Sequence, residues 1–181
     1  MTLVELMVVV VIITVMAGLF VPQFAGSLGA SRLQSSAQQL LLAARAAQDH
    51  AVTRRRICRI VLDTEQQAFG VEHQADPEAD PQQFEPMRAG GQGNFKSPCP
   101  LRLGVKFGNV LIESRAAQAP PRETEPRMIY FMPSGESDAA VVQVTDGMKT
   151  YSLVVEPVTG RAVLRAGAIE ELPTDQEDLD A

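Results

Sequence analysis

The stretch Leu3-Val4-Glu5-Leu6-Met7-Val8-Val9-Val10-Val11-Ile12-Ile13-Thr14-Val15-Met16-Ala17-Gly18-Leu19-Phe20-Val21 is almost free of polar side chains, Glu5 and Thr14 being the exceptions. A run of this length matches the roughly 20 residues that cross a bilayer's hydrocarbon layer and is too long for a buried core helix. Ahead of it there is no basic segment, and behind it no small-residue cleavage site, so it is expected to stay in the working protein and not be removed as a secretory signal. Glu5 is the anomaly, because an ionised carboxylate in an apolar helix costs roughly 2.5 kcal/mol or more unless it is compensated. Either it lies near enough to the helix end to reach the headgroups, or it has a partner.

Beyond the run stands Pro22, where the missing N–H predicts a kink in a continuing helix. Leu33, Ala37, Leu40, Leu41, Ala44, Ala47 and Ala51 then recur at three- and four-residue spacing, with Arg32, Gln34, Gln38, Arg45, Gln48 and Asp49 on the other faces. That periodicity predicts an amphipathic helix. Positions 2 to about 53 thus read as one helix roughly 75 Å long at 1.5 Å per residue. A bilayer needs only its first half, and the second half is expected to lie on a globular domain.

From Arg56 the period changes to alternation. Cys58, Ile60 and Leu62 form one face of a strand, residues 63–67 a turn, and 68–73 a second strand. Residues 74–100 carry Pro77, Pro81, Pro86, Pro98 and Pro100 with Gly90, Gly91 and Gly93, which predicts an irregular excursion. A further break is expected at 116–126. Strands are predicted at 101–105, 107–112, 128–132, 139–145, 148–156 and 161–165, with Asp146-Gly147 as the strongest hairpin turn.

The chain has 181 residues, 45% of them hydrophobic, which suits one packed domain. Its net charge of −6 is unevenly spread. Between Phe24 and Leu62, Arg32, Arg45, Arg54, Arg55, Arg56 and Arg59 face Asp49 alone, whereas Glu170, Glu171, Asp175, Glu177, Asp178 and Asp180 form an acidic tail. Such a tail reads as solvated and disordered, and an acidic protein draws no nucleic acid non-specifically.

No catalytic constellation emerges, so the chain is not expected to be an enzyme. His50 and His73 are expected at the surface. Cys58 and Cys99 lack the companions of a zinc site, and a disulfide between them is open in an oxidising compartment. Gly90-Gly91-Gln92-Gly93 lacks the following Lys and hydroxyl of a phosphate loop. Asp76, Glu78 and Asp80 have the spacing of hard oxygen ligands, but a solvated loop is the simpler reading, and neither metal nor cofactor is expected.

Thr2-Leu3-Val4-Glu5-Leu6-Met7-Val8-Val9, Ile12-Ile13 and Pro22 resemble the mature N-terminus of type IV pilins and type II secretion pseudopilins. Tyr130-Phe131-Met132-Pro133-Ser134-Gly135, the strands around Asp146-Gly147, and Val158-Thr159-Gly160-Arg161 are similar to the β domain of the GspH/FimT group. The resemblance implies that a prepilin peptidase removed a basic leader and that the new N-terminus, here Met1 where the family usually has Phe, is N-methylated. It also implies that Glu5 pairs with the Met1 ammonium of a neighbouring subunit in the filament core. Some FimT-type proteins take part in DNA uptake, which makes Arg161 and Arg165 candidates for phosphate contact, with Arg54-Arg55-Arg56 as a second basic patch; the acidic tail opposes this.

The expected fold is α+β, the type IV pilin fold: a long N-terminal helix on an antiparallel β domain of about seven strands. The helix is assigned to 1–53, with 1–23 the transmembrane or filament-core part and 24–53 the amphipathic half. A periplasmic β domain follows at 54–169 and the acidic tail at 170–181. The expected role is that of an H-type minor pseudopilin in the type II secretion pseudopilus, a single-pass protein of the bacterial inner membrane. Its partners would be other pilin or pseudopilin subunits, the inner-membrane assembly platform and the prepilin peptidase. The alternative is a FimT-like minor pilin that primes a type IV pilus or binds DNA in natural transformation.

Overall fold

A computed structural model describes residues 3–87, 97–114 and 126–173, with the side chains of 17–28 outside that description. Met1, the loop glycines at 90–93, the break at 115–125 and the tail from 174 onward lie outside the described residues.

One helix, α1, runs from Leu3 to Arg54 and passes through Pro22 without a break in its assignment. Its 52 residues make it about 78 Å long. It ends where Arg55 takes a left-handed conformation (φ 53°) and the Arg56 N–H donates back to the Ala51 carbonyl (3.2 Å), a closing bond that satisfies one of the last helical acceptors.

Two antiparallel sheets follow. The first has the order β3-β2-β1-β6, from β1 (Cys58–Asp63), β2 (Ala68–Asp76), β3 (Asp80–Pro86) and β6 (Arg127–Phe131), with the two-residue β4 (Cys99–Pro100) also paired to β2. The second has the order β5-β7-β8-β9, from β5 (Lys106–Glu113), β7 (Ala139–Thr145), β8 (Thr150–Val155) and β9 (Ala162–Ala166). Register follows the apolar alternation: Ile60 stands opposite Val71 on one side and Ile129 on the other, all three buried.

The core lies between α1 and both sheets. Leu33, Ala37, Leu40, Ala43, Ala44, Ala47 and Ala51 are fully buried against Ile60, Leu62 and Ile129 of the first sheet and Val142, Val144, Leu153 and Val155 of the second. On the opposite face of β7, Val141 and Gln143 are buried too, and the Gln143 amide donates to the Ile169 carbonyl (2.9 Å). The segment after β9 therefore straps the outer face of the second sheet.

Three expectations need correction. The proline-rich stretch after His73 is not wholly irregular: β2 continues to Asp76 and β3 carries Pro81 and Pro86. Proline is tolerated there because β3 is an edge strand, where a missing N–H leaves no ladder partner unsatisfied. Residues 101–105 form no strand. The Val105 N–H closes a turn onto the Arg102 carbonyl (2.9 Å) through Gly104 at φ +85°, so the alternation of Leu101, Leu103 and Val105 imitated a strand that the glycine prevents. With β3 and β4 added, the strands number nine among the described residues, not about seven.

Candidate functional site

The free half of α1 is the first candidate. From Leu3 to Met16 every side chain is exposed, Leu3 at 77% and Ile13 at 61%, and Glu5 lies exposed in the first turn. Among the described residues none of these side chains is buried. Among the described residues no helix is long and apolar enough to cross a membrane, the described side chains of the run ending at Met16. Thr14 returns its hydroxyl to the Val10 carbonyl (2.7 Å), so even this polar group is satisfied within the helix.

The packed half fixes that rod to the domain at specific points. The Gln48 amide donates to the Thr159 carbonyl in the β8–β9 loop (2.6 Å), and the buried Ser36 hydroxyl accepts the Arg102 N–H (3.1 Å). Gly160 has φ +62°, and a Cβ on it would stand 2.5 Å from the Gly135 carbonyl oxygen and 3.2 Å from Gln48 Nε2. The two turns Pro133-Ser134-Gly135 and Val158-Thr159-Gly160 thus meet beside α1, and only glycine fits the crossing. The neighbouring corner is ordered by Asp138, 1% exposed, which accepts from the Tyr130 N–H (2.9 Å) and the Ser114 hydroxyl (3.2 Å).

The remaining sequence candidates fall apart in space. Cys58 and Cys99 are free thiols. Cys58 faces His73 across one side of β2, while Cys99 faces Phe69 across the other. Four residues along and two strand spacings across put them roughly 16 Å apart, whereas a disulfide needs Cα atoms within about 7 Å. Burial pushes the Cys58 thiol up to about 12 and also raises that of Cys99, where Arg102 opposes the rise. Asp76 turns its carboxylate onto the N–H groups of Glu78 (3.0 Å) and Ala79 (3.2 Å), bonds that hold its pKa down. Among the described residues no cluster of three or more metal-ligating side chains forms. Arg161 is exposed in the turn just before β9 and Arg165 on the outward face of that strand, while Arg56 donates to the carbonyls of Gln74 (3.3 Å) and Ala75 (2.5 Å) at the end of β2.

His50 and His73 are not the independent surface residues the sequence suggests. Their rings lie 5.1 Å apart, half-buried between the end of α1 and β2, and His73 Nδ1 is enclosed with no hydrogen-bond partner among the described residues. The cause is register, since His73 stands opposite the buried Cys58 and so shares its helix-facing side. Burial lowers the His50 pKa first, then His73, Arg54 and Arg56, with Asp49 opposing. No local motif announces this pair.

A helix whose far half packs into the core of a two-sheet antiparallel domain, and whose described side chains from Leu3 to Met16 all stand exposed, matches the type IV pilin fold. The minor pseudopilin EpsH from the Type 2 Secretion System of Vibrio cholerae has it: the superposition covers 77% of this chain and 99% of that one, with a TM-score of 0.53 and 12% identity. A second crystal structure of the same pseudopilin gives a TM-score of 0.53 and 12% identity over 78% of this chain and 96% of that one. The type IV minor pilin FimU from Pseudomonas aeruginosa aligns over 79% of this chain and 93% of its own, at 15% identity and a TM-score of 0.44. No protein-family model matches the sequence, and no curated protein matches it.

Proposed function

We propose that the chain is a structural subunit of a type IV pilin-like filament, an H-type minor pseudopilin of a type II secretion pseudopilus, and not an enzyme. The observation that carries this is the exposed aliphatic rod from Leu3 to Met16 with one acid in its first turn, on a helix made rigid by its packed half. Such a surface is unstable in water and needs lipid or other rods around it. Before assembly the apolar run, continued to Val21, spans the inner membrane with the β domain in the periplasm; after assembly it packs among the rods of related subunits. Prepilin peptidase and an inner-membrane platform are the partners such a route requires. Methylation of Met1 belongs to the same route, and a bend at Pro22 would let the rod follow the fibre axis.

Glu5 sets register in this reading by pairing with a neighbour's N-terminal ammonium. Removing one partner of a buried pair costs roughly 3 kcal/mol or more, on the order of a hundredfold in an assembly equilibrium. Glu5→Gln is expected to leave the protein folded and membrane-inserted but largely absent from sheared filaments. Incorporation at the wild-type level, measured by crosslinking between rods, would reject the pairing.

A further inference from the structure

The protein is acidic overall, yet the end of the β domain from which the free half of α1 emerges is basic. Ser31, Arg32 and Ser35 of α1, with Arg102 and Leu103 of the β4–β5 turn, enclose an open groove of ≈ 390 Å³. Among the described residues neither guanidinium has an ion pair or a side-chain hydrogen bond. The groove is nonetheless built: the Arg102 N–H is held by the buried Ser36 hydroxyl, and its carbonyl closes the Gly104 turn.

A second turn flanks the same part of the helix. Asp146 Oδ2 comes within 3.8 Å of where a Cβ on Gly29 would stand, and the turn carries Gly147 at φ +90°, Met148 and Lys149. Leu103 (83%) and Met148 (84%) are more exposed than any large hydrophobic side chain from Leu3 to Met16. Both occupy turn tips with a cation beside them. Lys106, opposite Thr145 at the start of β5, adds to the same end. Asp146 is the opposing acid, its carboxylate bound to the N–H groups of Met148 and Lys149 (2.9 and 2.8 Å). Glu170 and Glu171 follow Ile169, whose N–H is held by Ser152 two residues further from the turn than Thr150.

We propose that this end of the domain is a membrane-surface seat, in which the Ser31, Arg32, Ser35 and Arg102 groove takes the phosphate of an anionic phospholipid headgroup while Leu103 and Met148 enter the interface beside it. Two guanidinium forks and two hydroxyls supply donors from several sides, which suits a tetrahedral oxyanion. A free ion would leave the paired apolar tips without a role; a lipid surface uses both, as interfacial elements do. The inference rests on the reading of the apolar run as membrane-inserted before assembly. With residues 3–21 in the hydrocarbon layer, Arg32 stands roughly 16 Å beyond its edge at 1.5 Å per residue. Its long side chain leans back toward the helix N-terminus, and a tilt toward the upper end, about 40°, of the range seen for membrane helices brings its guanidinium to the outer headgroup layer.

The chain has no tryptophan, so Leu103→Trp in the full-length protein gives a single fluorophore at the seat. Reconstituted into vesicles of phosphatidylcholine, phosphatidylglycerol and a brominated lipid, it is expected to be quenched more than in phosphatidylcholine with the same brominated lipid and no phosphatidylglycerol, with the difference relieved by salt. Adding Arg32→Gln and Arg102→Gln is expected to weaken the seated state roughly tenfold, since each interfacial cation contributes favourably near an anionic surface. Co-flotation of the protein with the vesicles is scored separately. If the chain does not float, the membrane reading itself fails. If it floats but quenching ignores lipid charge or the two substitutions, the seat fails alone. A matching emission change produced by inorganic phosphate, or by a synthetic peptide of residues 170–181, at equal ionic strength in phosphatidylcholine would assign the groove to a free oxyanion or an acidic segment and overturn the lipid.

Discussion

Along α1, Leu3 to Met16 present large aliphatic side chains to solvent, whereas five of the seven apolar positions buried between Leu33 and Ala51 (Ala37, Ala43, Ala44, Ala47 and Ala51) are alanine. The difference in size separates two tasks. Small side chains let the packed half lie close to both sheets, and a helix so seated has little freedom to slide or roll. Bulky valines and isoleucines on the free half stand exposed among the described residues, and they project contact area on all sides for lipid or neighbouring rods. The free half is apolar all round and large; the packed half is apolar on one face, and that face is small.

Substitutions can test that division. Leu40→Ala removes a fully buried side chain from the packed half and is expected to cost about 3 kcal/mol in denaturant unfolding of the full chain in detergent. Ile12→Ala, in the exposed half, should cost less than about 0.5 kcal/mol in the same measurement. Equal losses would break the comparison. Gly160→Ala forces a Cβ against the Gly135 carbonyl and the Gln48 amide that ties α1 to the β8–β9 loop, and about 2 kcal/mol of destabilisation is expected.

At the far end of the packed half, His50 should make stability depend on pH. Its folded pKa lies below the unfolded value of about 6.5, so the unfolded chain binds the extra proton first. Stability is then full above that value and is lost as pH falls through it toward the folded pKa. Melting curves across this window should slope, and His50→Gln should flatten them. A small effect of the opposite sign is expected at Arg55, an L-residue held at φ 53° where glycine carries no Cβ penalty. Arg55→Gly should raise stability by roughly 0.5 kcal/mol, and a loss would mean that the arginine side chain matters more than its strain.

Much of the architecture was legible because it is periodic. The stripe from Leu33 to Ala51 and the strand 139–145 were read from spacing alone, and both occupy those positions. Misreadings arose where a local signal was outweighed by context. Pro81 and Pro86 looked like strand breakers, but an edge position tolerates them; Leu101, Leu103 and Val105 alternated like a strand until Gly104 turned the chain. The pairing of His50 with His73, the separation of Cys58 from Cys99, and the meeting of Arg32 with Arg102 are set by how α1 docks on the sheets. No window of sequence contains both members of any of these pairs.

The helix lies along β1, β2 and β6 of one sheet and β7, β8 and β9 of the other. A pull along the helix axis is therefore taken in shear by all these contacts together, and does not peel them away in turn. Tension or thrust applied at the rod reaches both sheets at once, so the domain travels as a single mechanical body with the helix that carries it.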